Sequence, residues 1–316
     1  MQNSQEMPSN STEILFELFP FIKVFKDGHV HRFLETDFVP PSEDPQNKVQ
    51  SKDIIISQET NASVRLYLPN NINYDNKKLP LLIYIHGGAF CIASAFSSVY
   101  HSFLNKLVDE ANVIAVSVEY RLAPEHPIPA CYDDSWSAFK WVVSNGDNNS
   151  GSDSEPWLRD YADFSRIFLA GDSAGANIAH DMMVRASDEA SGFVETEVKL
   201  VGMALIHPFC GDDQPDLLWN FLCKDENSRL DDPRFNPAVR SILLEKLVCK
   251  KILICIAEKD FLRQRGWSYY EAIKNSGWGG EVELEETEAE DHVFHLENPG
   301  SPKADIFIKK MATFFK

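Results

Sequence analysis

The five residues 171–175, Gly-Asp-Ser-Ala-Gly, place a serine between an apolar run and a helix-like segment. A Gly-x-Ser-x-Gly turn at the end of a strand strains the serine backbone and pushes its hydroxyl outward, where it can act as a nucleophile. The glycines two residues before and after Ser173 keep neighbouring side chains from colliding there. Because this pattern is common by chance, its meaning depends on what accompanies it.

A glycine pair follows another apolar run, in His86-Gly87-Gly88 directly after residues 81–85. Successive glycines let backbone amides turn toward a ligand. Together with the amide of Ala174, the amides of Gly87 and Gly88 could hold the negative oxygen of a tetrahedral intermediate. One such donor lowers a reaction barrier by roughly 2.7–4 kcal/mol. We interpret His86 as a residue that holds this loop.

An acid and a base follow two further predicted strands. Asp260 comes just after the apolar run 252–257, where a carboxylate could orient an imidazole; Glu258 is closer to the strand and competes with it. His292 comes after the last predicted strand, and His295, three residues on, is the alternative base. The resulting order of serine, acid and histidine is the one expected of α/β-hydrolases.

The elements that must position these residues alternate between strand-like and helix-like segments. Runs such as 81–85 are apolar throughout, which suits strands covered on both faces and predicts a mainly parallel sheet with crossover helices. In such a sheet, functional groups meet at the carboxyl ends of the strands. The predicted strands are 63–68, 81–85, 113–118, 167–170, 200–206, 252–257 and 282–286, and the predicted helices lie near 99–110, 130–143, 175–187, 267–276 and 304–315.

Composition narrows the class of function. The chain has 316 residues, with 48 acidic against 30 basic residues, a formal net charge of −18 that argues against nucleic acid or an anionic membrane as partner. No linker divides the chain: the polar stretch 144–154 is interpreted as a surface loop, so residues 1–316 are predicted to form one domain.

The six cysteines show no spacing typical of a metal site, and no signal-like or membrane-spanning segment is seen, so a cytoplasmic location is expected. A nucleophile, a base and oxyanion donors need no metal or organic cofactor. The expected partner is a small-molecule ester, and the sequence gives no indication of oligomeric state.

Over nearly its whole length the chain resembles the plant carboxylesterases of the hormone-sensitive-lipase branch of the α/β-hydrolases, a group that also holds gibberellin receptors and 2-hydroxyisoflavanone dehydratases. The matching segments are HGGAF (86–90), SVEYRLAPEHP (117–127), EPWL (155–158), GDSAGAN (171–177), AEKDFLRQRGWSYYE (257–271) and DHVFHL (291–296).

The resemblance implies an α/β-hydrolase fold with a mainly parallel central sheet, flanking helices and a helical lid formed by residues 11–50 and 210–240. It implies Ser173 as nucleophile, Asp260 as orienting acid and His292 rather than His295 as base. The oxyanion donors it implies are the amides of Gly87, Gly88 and Ala174.

The chain departs from the family pattern at two places. Ala89 stands where a third glycine is usual, which adds one methyl group and is expected to leave the two preceding amides usable. The segment 210–236 is shorter than in many members, and this affects substrate selectivity more than chemistry.

We expect a serine carboxylesterase that hydrolyses small-molecule esters through an acyl-enzyme intermediate. The alternative is a dehydratase, lyase or cyclase of plant specialised metabolism; dehydratase members can carry threonine at the position of Ser173, so serine favours hydrolysis. A gibberellin-type receptor is disfavoured by His292, because those receptors have lost the base histidine.

Overall fold

The structure is a computed structural model that describes residues 13–42, 48–70, 78–146, 154–193, 198–212, 214–223 and 231–316. Its strands are β1 (Ile14–Leu18), β2 (Ile22–Phe25), β3 (Val30–Arg32), β4 (Val49–Ile55), β5 (Ser63–Pro69), β6 (Leu79–Ile85), β7 (Ile114–Glu119), β8 (Ala162–Asp172), β9 (Leu200–Ile206), β10 (Lys251–Ala257) and β11 (Glu281–Thr287). Its α-helices are α1 (Ser98–Ala111), α2 (Ala130–Ser144), α3 (Pro156–Tyr161), α4 (Ala174–Ser187), α5 (Leu217–Leu222), α6 (Ser241–Glu245), α7 (Arg263–Asn275), α8 (Phe294–Glu297) and α9 (Pro302–Phe314).

Eight strands form one central sheet, in the order β11, β10, β9, β8, β6, β7, β5, β4. The strands from β6 to β11 pair in parallel, while β5 runs antiparallel to both β7 and β4. Every residue of β6 is buried, as expected for a strand with helices on both sheet faces. The prediction of a mainly parallel sheet is confirmed, and the carboxyl ends of β6, β8, β10 and β11 lie along one edge.

All seven predicted strands are present, with ends that differ by a few residues. The sequence prediction missed β4, whose residues alternate between buried and more exposed positions and include several polar side chains. Most of the predicted loop at 144–154 lies outside the described residues. In the described ranges, no helix is both long enough and apolar enough to cross a membrane.

The prediction of a helical lid is wrong for its N-terminal part, because the described residues there form strands. Strands β1, β2 and β3 form a small antiparallel sheet there. Pro20 would break a helix in this segment, and Gly28 adopts φ of +88° in the turn between β2 and β3, a conformation that glycine tolerates. Residues 11–12 and 43–47 of this lid prediction lie outside the described residues.

The second lid segment is partly helical. It contains α5 and a 3₁₀ turn at Pro237–Arg240, while positions 213 and 224–230 lie outside the described residues. The two lid segments meet where the Phe16 ring stacks on the Phe221 ring at a centroid distance of 3.9 Å. The small N-terminal sheet therefore packs against α5.

Candidate active site

Ser173 occupies a strained turn between β8 and α4. Its backbone angles are φ +52° and ψ −118°, a combination that a side-chain-bearing residue adopts only when its surroundings hold it there. A Cβ atom at Gly171 would lie 2.4 Å from the Gly175 carbonyl oxygen, and one at Gly175 would lie 2.1 Å from the Ile85 carbonyl oxygen. Both glycines are thus required by the close approach of the backbone around the serine.

Asp260 and His292 form a hydrogen-bonded pair after β10 and β11. The Asp260 Oδ2 lies 2.9 Å from the His292 Nδ1, and the other carboxylate oxygen accepts a hydrogen bond from the Leu262 amide at 2.7 Å. The Asp260 side chain is 1% exposed and that of His292 is 17% exposed. A carboxylate at Nδ1 fixes the tautomer in which Nε2 carries the lone pair, as a general base requires.

The end of β9 links the serine turn to the histidine. The Ser173 amide donates to the Ile206 carbonyl at 2.8 Å, and the Val293 amide donates to the His207 Nδ1 at 2.8 Å. Two consecutive residues at the end of β9 therefore hydrogen-bond to the two parts of the site: Ile206 to Ser173, and His207 to Val293, which follows His292. Sequence reasoning missed His207, although its position directly after a predicted strand is a signal that could have identified it.

His207, Asp260 and His292 bring potential metal-ligating atoms within 4.8 Å of one another. The His207 Nδ1, 3.9 Å from the Asp260 Oδ2, already accepts the Val293 amide, so its lone pair is in use. Burial, with the neighbouring histidines, lowers the pKa of His207 well below 6.5 and keeps this ring neutral. The hydrogen bonds fit a proton-transfer pair with a neutral supporting ring better than a metal centre.

The competing acid and base lie in different environments. His295 is fully buried, with ring centroids 5.0 Å from Phe103 and 4.7 Å from Phe307, and burial lowers the pKa of His295 to about 3. Glu258 is exposed and accepts a hydrogen bond from the Ala289 amide. Among the described residues, neither side chain hydrogen-bonds to the Asp260–His292 pair.

Gly87 does not have the free amide that the sequence prediction gave it. Its N–H donates to the Tyr100 hydroxyl at 2.8 Å and to the Asp172 Oδ1 at 3.1 Å. The amide is directed into the protein and engaged there, which contradicts its assignment as an oxyanion donor. The reason is tertiary: both acceptors come from other elements, one in α1 and one at the end of β8.

The amides of Gly88, Ala89 and Ala174 differ from that of Gly87. No acceptor for any of the three is found in the described part of the chain. Gly88 and Ala89 adopt φ of +104° and +53°, so the backbone coils sharply after Gly87. Ala174 begins α4, where the first amides have no partner within the helix. The three candidate donors are therefore Gly88, Ala89 and Ala174.

An exposed aromatic residue borders the site. The Phe261 side chain is 69% exposed, and its ring centroid lies 5.0 Å from that of His292. It follows directly after Asp260, so the same turn that places the acid also places this ring. Sequence reasoning did not single it out, because exposure of a single phenylalanine has no sequence signature.

Comparison with protein families agrees with this geometry. A family model described as alpha/beta hydrolase fold matches residues 82–296, which include the serine turn, the acid and the histidine. The chain belongs to the α/β-hydrolase family. A second model, of the carboxylesterase family, matches residues 38–124.

The relatives of this α/β-hydrolase include dehydratases and carboxylesterases. A 2-hydroxyisoflavanone dehydratase of Glycyrrhiza echinata is 43% identical over 98% of this chain and 99% of that protein. Probable carboxylesterase 1 of Arabidopsis thaliana is 42% identical over 96% of this chain and 98% of its own length. The chain is a carboxylesterase-type hydrolase by family, with dehydratases among its relatives.

Solved structures agree on the fold. A hyperthermophilic esterase from the archaeon Pyrobaculum calidifontis superposes with a TM-score of 0.68 at 26% identity, covering 84% of this chain and 85% of that one. A thermostable esterase from Pseudomonas putida, at 21% identity, gives a TM-score of 0.69 over 87% of this chain and 85% of that one, and shows the shared fold.

Proposed function

We propose that this hydrolase is a serine carboxylesterase that cleaves small-molecule carboxylic esters through an acyl-enzyme intermediate. The observation that carries the proposal is the 2.9 Å bond between His292 and the buried Asp260. The end of β9 connects this pair to the strained serine turn, because Ile206 accepts from the Ser173 amide and His207 accepts from the Val293 amide. This combination supplies a nucleophile, a base and a group that orients the base.

In the proposed mechanism, the His292 Nε2 takes the proton of Ser173 as the serine oxygen attacks the ester carbonyl. The negative Asp260 stabilises the imidazolium that forms. The carbonyl oxygen becomes an oxyanion, for which we propose the amides of Gly88, Ala89 and Ala174 as donors. His292 then protonates the leaving alcohol, and a water molecule, activated by the same ring, releases the acid and restores the serine.

Turnover of p-nitrophenyl butyrate by wild-type protein and Ser173→Ala tests the proposal. We expect the variant to lose at least about 10³-fold in kcat, because the triad acts as a unit. Ser135→Ala is the matched control: this serine is also buried, but its hydroxyl donates to the Cys131 carbonyl within α2. Hydrolysis by Ser173→Ala at the rate of the control would refute the assignment.

Dehydration of a 2-hydroxyisoflavanone is a second candidate, because relatives at 41% and 43% identity carry that name. In such a reaction His292 would remove the proton on the carbon between the carbonyl and the hydroxyl-bearing carbon. The oxyanion donors would stabilise the resulting enolate. The enolate then expels the hydroxyl group, which leaves as water after His292 returns the proton to it. No covalent bond to Ser173 is needed in this scheme.

The two candidates predict different responses to the same variant. Ser173→Ala should abolish ester hydrolysis but retain much of a dehydration that proceeds through the enolate. His292→Gln should abolish both reactions, since each needs the base. Comparing kcat/KM of the wild type for 2-hydroxyisoflavanone and for p-nitrophenyl butyrate ranks the activities, and a dehydration rate well above ester hydrolysis would reverse our order of preference.

A further inference from the structure

A second buried carboxylate adjoins the serine and has no part in the proton transfer. Asp172, next to Ser173 in the chain, is 1% exposed. Its Oδ1 accepts from the Tyr84 hydroxyl at 2.8 Å and from the Gly87 amide at 3.1 Å, and its Oδ2 accepts from the Tyr100 hydroxyl at 2.8 Å. Three donors thus converge on one carboxylate.

Removing a carboxylate from water costs free energy. An acidic side chain out of water requires a cation or several hydrogen bonds, and within the described ranges no Lys or Arg side chain pairs with Asp172. Burial raises the pKa of Asp172, while the hydroxyls of Tyr84 and Tyr100 act in the opposite direction. The hydrogen bonds therefore offset part of the desolvation of this carboxylate.

The Tyr100 hydroxyl closes this arrangement into a ring. It donates to Asp172 and at the same time accepts from the Gly87 amide at 2.8 Å. Gly87 fits because it has no side chain: a Cβ atom there would lie 2.3 Å from the Asp172 Oδ2. The first residue of the oxyanion loop is therefore fixed against the residue that precedes the nucleophile.

The three residues after Gly87 have positive φ angles, which the surrounding structure must hold in place. Gly88, Ala89 and Phe90 have φ of +104°, +53° and +62° in succession, and the last two carry side chains that disfavour positive φ. With the Gly87 amide held inward, the coiled backbone leaves the amides of Gly88 and Ala89 without protein acceptors in the described structure.

We propose that Asp172 is a positioning residue for the oxyanion hole: with Tyr100 it holds the Gly87 amide inward, so that the next two amides face the reacting carbonyl. The inference rests on the proposed esterase function. Since Asp172 and Ser173 are adjacent, one turn sets both the nucleophile and the loop that must receive the oxyanion.

Asp172→Asn and Tyr100→Phe test this role. Asparagine keeps the shape but has only one accepting oxygen, so the Gly87 amide and the two tyrosine hydroxyls can no longer all be satisfied. We expect Asp172→Asn to lower kcat for p-nitrophenyl butyrate about 100-fold, and Tyr100→Phe about 10-fold, with KM changed less than about 3-fold, as for partial loss of oxyanion stabilisation.

A trifluoromethyl ketone provides a readout that a merely structural role would not move. It adds to the serine and forms a stable oxyanion, so its affinity should fall in each variant by about the same factor as kcat/KM. Tyr269→Phe is the matched control. It removes another buried tyrosine hydroxyl with a 2.8 Å bond, to the His180 Nδ1, and should keep kcat and inhibitor affinity within about 2-fold.

The proposal is overturned if folded Asp172→Asn or Tyr100→Phe loses no more activity and inhibitor affinity than Tyr269→Phe, or loses thermal stability alone. If Asp172→Asn does not fold, Tyr100→Phe decides the matter. A failure of the esterase assignment would instead appear as unchanged hydrolysis in Ser173→Ala, so the two failures are distinguishable.

Discussion

A hydrogen bond to a carboxylate distinguishes the environments of two histidines that are three residues apart. His292 binds the Asp260 carboxylate at the edge of the sheet, whereas His295 points into an aromatic cluster with both ring nitrogens lacking a hydrogen-bond partner in the described structure. The left-handed backbone of Val293, at φ +48°, turns the chain between them. Residue type and spacing alone did not distinguish the two.

The acid of the pair can be tested by an isosteric change. Asp260→Asn keeps the size of the side chain but favours the wrong imidazole tautomer, and we expect kcat for p-nitrophenyl butyrate to fall by about 10⁴-fold, as in comparable triads. Glu258→Gln is the matched control, because that exposed carboxylate binds only the nearby Ala289 amide. Equal activity of the two variants would remove Asp260 from the mechanism.

His295 gives a prediction about pH and stability. Its pKa is lowered from 6.5 to about 3 by burial, so between these values the unfolded chain binds a proton that the folded chain excludes. The folded state therefore loses stability as pH falls through this window, by about 1.4 kcal/mol per pH unit for one such group. A phenylalanine at this position does not titrate, so its contribution to the free energy of unfolding does not change over this pH range.

We expect the stability of His295→Phe relative to wild type to increase by about 1.4 kcal/mol for each pH unit below 6.5. Urea unfolding of both proteins at pH 7, 6 and 5 measures this difference directly. Differences that stay constant over the three pH values would show that His295 takes up a proton in the folded state as readily as in the unfolded chain.

At the scale of elements, one arginine ties the N-terminal sheet to the body of the protein. Arg32, at the end of β3, donates to the Cys91 carbonyl at 2.7 Å and to the Ala123 carbonyl at 3.2 Å, and it forms a bidentate ion pair with Glu125. Cys91 lies two residues beyond the candidate oxyanion donor Ala89. The same side chain therefore connects the small sheet to the loop that contains the candidate oxyanion donors.

Arg32→Gln should loosen this connection. We expect the free energy of opening this sheet to fall by about 1–3 kcal/mol, because two carbonyls and a carboxylate lose a charged donor. Faster amide hydrogen exchange in residues 14–32 and in the loop after Gly88 would be the direct measurement. Lys26→Gln, directly after β2, is the control, since its ion pair with Glu13 is exposed to solvent and should contribute little.

If Arg32→Gln exchanges no faster than Lys26→Gln, Arg32 does not hold the N-terminal sheet in place. The stacked Phe16 and Phe221 rings would then be the main connection to α5.

Part of the chain's excess of acidic residues lies on the last strand of the central sheet. Strand β11 is at the edge of the central sheet and carries four glutamates, with Lys310 of α9 beside two of them, Glu283 and Glu285. Charged side chains on an edge strand discourage another chain from pairing with it. At this element the excess of acidic residues has a structural explanation, independent of any ligand.

At the scale of the whole molecule, the core is built without cross-links. All six cysteines are buried and none forms a disulfide. Burial raises the pKa of the Cys91, Cys210 and Cys249 thiols to about 12, which leaves almost no thiolate at neutral pH. The cysteines act as small apolar side chains of the two hydrophobic clusters on either side of the sheet.

We therefore expect Ellman's reagent to label no thiol of the native protein, and all six after unfolding in denaturant without a reducing agent. The unfolding temperature should be the same with and without dithiothreitol. Rapid labelling of the native protein would mean that at least one cysteine becomes accessible through local opening, and fewer than six thiols after unfolding would reveal a disulfide.

The sequence by itself determined the sheet and the positions of the candidate chemical groups on it. Fully apolar runs such as 81–85 identify strands covered on both sides, and a parallel sheet gathers the residues after such strands at one edge. This reasoning placed Ser173 after β8, Asp260 or Glu258 after β10, and His292 or His295 after β11, and these residues do follow those strands. The family resemblance selected Asp260 and His292.

Only the tertiary structure decided which groups are available for chemistry. The Gly87 amide is engaged because Tyr100 and Asp172 approach it from α1 and β8, and the sequence around Gly87 contains no trace of those partners. The contact of the N-terminal sheet with α5 is also tertiary, because the stacked Phe16 and Phe221 rings lie far apart in the chain. Hydrogen bonds between residues distant in the chain depend on the fold, and local patterns do not encode them.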